Sequence, residues 1–194
     1  MPNWCMTAYT IEGNKRTLNR IKNAVERCLS GEFPKEENSA YNWEGNVLNA
    51  LGIKFKKRNG EHKYCVRGFL YEKPILDDCV LKLNAEEAWS RTDFAELLEK
   101  KFPSITVYWV AEESGGEIFQ TNDAEGKYYD EKYWVDACVN GHYMSEYFQT
   151  EESAYDWICR ISGCKNESDV EAFNDRCVEE ASDDYIYVHE FEIV

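Results

Sequence analysis

The 194-residue chain is 43% hydrophobic and 14% aromatic, with a formal net charge of −15, which suffices for a sizeable core and excludes a disordered acidic tail. Its charge is uneven: residues 1–82 carry 14 Lys/Arg against 10 Asp/Glu, whereas residues 83–194 carry 8 against 27. The acid-rich part repels a phosphate backbone and suits a solvated face, a basic partner or divalent cations.

Trp4 to Glu12 reads as a strand ending in a turn at Gly13. Leu18, Ile21, Val25 and Cys28 recur at helical spacing between Lys15 and Leu29, and Gly31 lies beyond the end. Residues 30–45 combine Gly, Pro, Asn and four glutamates, the pattern of an inserted surface loop, before a short helix around Val47 to Leu51. Asn59-Gly60 predicts a tight turn within the basic cluster Lys54, Lys56, Lys57 and Arg58, followed by strands from Lys63 to Glu72 and from Cys79 to Leu83.

Ser90-Arg91-Thr92-Asp93 resembles a capping box, and Phe94, Leu97, Leu98 and Phe102 form a helical stripe that stops at Pro103. Ile105 to Glu113 and Glu117 to Gln120 flank Gly115-Gly116 as a hairpin, and both faces of the first of these strands carry apolar residues. Beyond the loop Asn122 to Lys127, Tyr133 to Val139 and His142 to Phe148 flank Asn140-Gly141, the strongest hairpin signal in the chain. Two helices follow, one capped by Thr150 and burying Ala154, Trp157, Ile158 and Ile161, the other capped by Ser168 with Glu171 and burying Val170, Phe173 and Cys177. The last strand, Asp184 to Val194, alternates Tyr185, Tyr187, His189, Phe191 and Ile193 with Glu190 and Glu192.

This order predicts an α+β fold: a ferredoxin-like βαββαβ antiparallel sheet over residues 1–121, and an acidic ββααβ extension over 122–194 packed on or continuing the same sheet. The charge step near residue 83 falls inside the first region, so the expectation is an acidic surface on one folded body. Pro2-Asn3-Trp4-Cys5, Thr10-Ile11-Glu12-Gly13, Trp89, Phe102-Pro103 and Glu112-Glu113-Ser114-Gly115 together resemble the YubB-like proteins, which contain a ferredoxin-like domain and occur largely on plasmids, phages and related mobile elements. The resemblance spans roughly residues 1–120 and implies a fold, but no activity, cofactor or catalytic residue. The Glu-rich loop and the acidic C-terminal part depart from that pattern.

The N-terminus lacks a basic region followed by an apolar run, and no stretch reaches the length of a membrane span, so a soluble cytoplasmic protein without membrane contact is expected. In that reducing setting Cys5, Cys28, Cys65, Cys79, Cys138, Cys159, Cys164 and Cys177 read as small buried apolar residues. A nucleophilic Cys5 would need a base, and no motif ties it to His62, His142 or His189. Cys138 with His142, and Cys159 with Cys164, lack the paired short spacings of a zinc site, so no metal or cofactor is expected. Loop Asn122 to Glu131 lacks EF-hand spacing for calcium. The carboxylate pairs Asp77/Asp78, Glu86/Glu87, Glu112/Glu113, Glu151/Glu152 and Asp183/Asp184 read as solvated, since neighbours on a strand point to opposite faces.

No RNP-type motif supports base stacking on the sheet, so direct nucleic-acid binding is not expected. The residues favour a noncatalytic module that engages a protein partner, with a basic one favoured by charge, through an acidic surface. One alternative is a small-molecule enzyme with a cleft between the two regions, lined by Trp109, Glu112, Glu113 and Tyr147. Another is a DNA mimic that occupies a DNA-binding protein.

Overall fold

A computed structural model describes residues 3–57, 61 and 63–194; the turn expected at Asn59-Gly60 lies outside them. The fold is mixed α+β, and contacts divide the chain into two compact units, Met1–Asn122 and Asp123–Val194. The first holds 17 Lys/Arg and 18 Asp/Glu, a net of −1, and the second 5 and 19, a net of −14. The second unit therefore holds most of the net negative charge, although the contrast between the units is smaller than across residue 83, where +4 stands against −19.

In the first unit β1 (Trp4–Gly13), β2 (Gly68–Leu70), β3 (Ile75–Asp77), β4 (Val80–Ala88), β5 (Ile105–Glu113) and β6 (Ile118–Thr121) form an antiparallel sheet. Its order is β6-β5-β1-β4-β2, with β3 also on β4. Cys5, Thr7, Tyr9 and Ile11 alternate inward on β1 and stand opposite Glu87, Ala85, Leu83 and Leu81 of β4. Over this face pack α1 (Lys15–Leu29) through Leu18, Ile21 and Val25, and α3 (Phe94–Lys101) through Phe94, Leu97 and Leu98. Each such side chain, fully buried, contributes about 1.5–3 kcal/mol. Asn14 caps α1 by accepting from Thr17 N–H at 2.9 Å, and a short α2 (Glu44–Ala50) follows the inserted loop.

Two strands differ in length from expectation. The segment 63–72 keeps only Gly68–Leu70 as strand, because ahead of it Lys63 N–H goes to Phe55 C=O, Cys65 N–H to the Asp93 carboxylate, and Val66 C=O accepts from the Trp43 indole. Strand β4 instead runs on to Ala88, since Leu81, Leu83, Ala85 and Glu87 keep one inward phase. Nor does Asp93 cap α3 with its side chain; its Oδ2 accepts from Cys65 N–H at 2.6 Å.

In the second unit β7 (Tyr133–Val139) pairs with β8 (His142–Phe148) and β9 (Tyr185–Glu190) in the order β8-β7-β9. The Asn140-Gly141 turn has both residues at positive φ, 54° and 73°, as a two-residue hairpin requires. Val135, Ala137, Val139 and Ile186 form one core with Ala154 and Ile158 of α4 (Glu151–Ser162) and Val170 of α5 (Glu167–Glu179). Thr150 caps α4, accepting from Ser153 N–H at 3.2 Å. The cap of α5 is Asn166, which accepts from Asp169 N–H at 3.0 Å; Ser168 lies inside the helix because Asn166 supplies the extended backbone one turn ahead. The C-terminal strand breaks at Phe191, whose ring is buried and whose N–H goes to Lys132 C=O at 2.8 Å. Among the described residues no helix is long and apolar enough to cross a membrane.

Candidate functional site

Of the four residues expected to line a cleft, three lie on β5 of the first unit and one on β8 of the second. Trp109 and Glu113 share the buried face of β5, while Glu112 alternates to the other. The Arg91 guanidinium covers Trp109 at 4.1 Å from its ring centroid. Glu113 turns back to accept from Gly115 N–H at 2.8 Å, and a Cβ at Gly116 would stand 2.4 Å from its Oε2, so the Gly-Gly pair makes room for that carboxylate. Tyr147 lies in the second unit, opposite Trp134 on β7. Glu112 and Glu113 thus diverge, whereas paired-carboxylate catalysis needs convergence.

Of the residues behind the family resemblance, Asn3, Trp89 and Gly115 meet at one end of the first sheet, whereas Gly13, opposite Ile105, stands at the other. A Cβ at Gly115 would lie 3.1 Å from Asn3 Nδ2, and Asn3 C=O accepts from Trp89 N–H at 2.8 Å. Trp89 has φ 67°, a left-handed conformation that costs a bulky residue strain, and the Arg67 guanidinium lies 5.4 Å from its ring centroid.

Directly beneath sits a cluster that the sequence reading missed. Glu44 and Glu87 are each 0% exposed, which corrects the solvated reading of Glu87. Thr7 Oγ1 donates to Glu87 Oε2, and Tyr9 OH donates to Glu87 Oε1 at 2.7 Å. Thr92 Oγ1 lies 2.7 Å from Glu87 Oε1 and 2.9 Å from Glu44 Oε2. A threonine hydroxyl has one hydrogen, so the second contact is a hydrogen bond only when Glu44 carries a proton and donates it. Burial, and then the charge of Glu87, push Glu44 well above the usual carboxylate range. Glu44 Oε1 has no hydrogen-bond partner, as suits the neutral member of the pair. Burial, then the same two carboxyls, also push the Tyr9 phenol up.

This network joins β1, β4, α2 and the start of α3, and its sealed position makes it a structural strut. The signal for it was the phase of β4: continuing Leu81, Leu83 and Ala85 by two residues puts Glu87 inward. Cys5, paired with Glu87 across the sheet, is also sealed, and burial pushes its thiol up to about 11. That leaves no thiolate for nucleophilic work at neutral pH.

The second unit presents a different surface. On the sheet face opposite α4 and α5, register places Trp134, Asp136 and Cys138 of β7 between Tyr147, Ser145 and Tyr143 of β8 and His189, Tyr187 and Tyr185 of β9. The rings form a continuous ladder: Trp134 to His189 at 5.3 Å, Tyr187 to His189 at 6.3 Å, Tyr185 to Tyr187 at 5.1 Å and Tyr143 to Tyr185 at 6.4 Å between centroids. Tyr143, Tyr187 and Tyr147 are 73%, 53% and 42% exposed. Near the centre, Asp136 Oδ2 accepts from Tyr185 OH at 3.1 Å; burial, then the Asp136 charge, push that phenol up to about 12. A groove of about 380 Å³ is lined by Glu151, Glu167, Glu171 and Glu190 with Tyr133, Tyr155 and Tyr187, and by no lysine or arginine.

Neither metal reading gathers ligands. Cys138 faces the ladder while His142, opposite Val139, faces the helix side. The Asp123 carboxylate in the loop considered for calcium is taken by the N–H groups of Tyr128 and Tyr129 at 2.6 and 3.0 Å. Among the described residues no three His, Cys, Asp or Glu side chains cluster as metal ligands do. All eight cysteines are free thiols. Comparison with known proteins found no matching family model and no matching curated protein.

Proposed function

We propose that the protein is a noncatalytic interaction module that engages a basic protein partner through its acidic second unit. The observation carrying this reading is the charge partition: −14 on residues 123–194 against −1 on residues 1–122. A field of that sign steers cationic surfaces inward and repels phosphate. Within the same reading the first unit is a ferredoxin-like scaffold of the YubB-like type; the antiparallel order β5-β1-β4-β2 with α1 and α3 supports it. The sealed position of the Glu44–Glu87 pair and the divergence of Glu112 from Glu113 favour a module over an enzyme.

Retention of the full chain on immobilised polylysine and on polyglutamate tests the proposal. Polylysine is expected to retain it at low ionic strength and to release it at about 0.5 M salt, where screening acts within a few ångströms. Failure to bind polylysine at low salt, or equal binding to both polymers, refutes it.

A further inference from the structure

We infer that the ring ladder on β8-β7-β9 is the docking surface itself, and that its occupant is an extended peptide segment carrying arginine or lysine at alternate positions. The inference rests on the acidic-module reading and assigns its site. Aromatic rings that lie open on a sheet serve two kinds of ligand, nucleobases that stack and cations that sit over the ring faces. Charge decides between them. The nine residues that register places on this face include no lysine or arginine, and they hold the Asp136 carboxylate amid the tyrosines. The unit around them carries 19 Asp/Glu against 5 Lys/Arg. A nucleic acid would bring phosphates into that field with no cation on the face to meet them, whereas guanidinium or ammonium groups gain from both the rings and the carboxylates.

Spacing fits the same ligand. Tyr185, Tyr187 and His189 sit at alternate positions of one strand, so their backbone positions repeat at about 6.8 Å, as do same-side residues of an extended peptide, and their ring centroids stand 5.1 and 6.3 Å apart. Tyr143 and Tyr147 offer a second, parallel row across Asp136. The four-glutamate groove is the rival location for a basic ligand; Tyr187 lines both, so the two are separated at Tyr143 and Tyr147 of β8, which belong to the ladder face and not to the groove.

Fluorescence polarisation of the full chain with a labelled peptide of alternating arginine and serine tests the assignment, with an alternating glutamate peptide and a labelled single-stranded oligonucleotide as comparators. The arginine peptide is expected to bind in preference to both. Tyr143→Leu with Tyr147→Leu keeps apolar area but removes the ring faces of the β8 row, and is expected to weaken binding about tenfold. Tyr143→Phe with Tyr147→Phe is expected to retain it. Glu167→Gln with Glu171→Gln and Glu190→Gln, on the groove, is expected to cost about twofold through the general field. Unchanged circular dichroism of each variant separates lost contact from lost fold. Binding that survives the leucine pair and collapses in the groove variant overturns the ladder while keeping the acidic module. Preference for the oligonucleotide overturns the cationic occupant, and absence of binding to any cationic probe removes both readings.

Discussion

The first unit holds 18 Asp/Glu against 17 Lys/Arg and seals two of its glutamates in the core, whereas the second holds 19 against 5 and leaves the carboxylates of α5 in solvent. The difference shows how context sets what a carboxyl group does. Buried beside another acid and fed by Thr7, Tyr9 and Thr92, it becomes a hydrogen-bonded strut whose value is local. Left in water, it contributes a field felt over about a Debye length, roughly 8 Å at physiological salt.

Removing the strut should give the largest effect. Glu87→Ala leaves three hydroxyls and a cavity without their acceptor, and a loss of about 3–5 kcal/mol is expected in chemical denaturation. An unchanged midpoint would sink the strut interpretation.

A smaller and more diagnostic contrast lies in pH dependence. Glu44 has its folded pKa raised, so its contribution is complete below the ordinary carboxylate range and is lost as pH rises through the raised value. Asp184 behaves oppositely: the N–H groups of Gly141 and Asn140 hold its carboxyl below the usual range, so its contribution is present at neutral pH and is lost as pH falls through that lowered value. Glu44→Gln should flatten the loss of stability on the alkaline side, and Asp184→Asn the loss on the acidic side, in melting curves across pH. Exchanged effects would reverse the comparison.

Cap removal in the second unit, Thr150→Ala, should cost about 1 kcal/mol. Smallest of all is the ladder pair: Tyr143→Leu with Tyr147→Leu should change stability by about 0.5 kcal/mol or less at each exposed site, so that binding and folding come apart there as they cannot at Glu87. Iodoacetamide should label the exposed Cys79 rapidly in the native protein and leave the sealed Cys5 untouched.

Much of the local structure was legible because its signals are local. The Asn140-Gly141 hairpin, the stripe Leu18, Ile21 and Val25, and the Thr150 cap each depend on residues within a few positions of one another. What escaped depends on distant partners. Glu44 and Thr92 meet across 48 positions, and nothing near either one distinguishes a buried acid from a solvated one. The ladder was half visible: Tyr185, Tyr187 and His189 alternate in the sequence, but register alone brings Trp134, Tyr143 and Tyr147 beside them. The strand expected over 63–72 is shorter because β-propensity cannot foresee the Asp93 carboxylate taking the Cys65 N–H and the Trp43 indole taking the Val66 C=O.

The central place of β1 in its sheet has a consequence for how the chain comes to be folded. Its two neighbours are β4 and β5, so Tyr9 waits for Leu83 and Trp109, 74 and 100 positions downstream. Loops of that length are slow to close, while β7 and β8 are joined by a two-residue turn. During synthesis β1 therefore emerges well before its partners and is among the last strands to find its place, and Trp4, Cys5 and Met6 spend that interval without their neighbours. This strand is then also the part of the first unit most in need of protection on the ribosome.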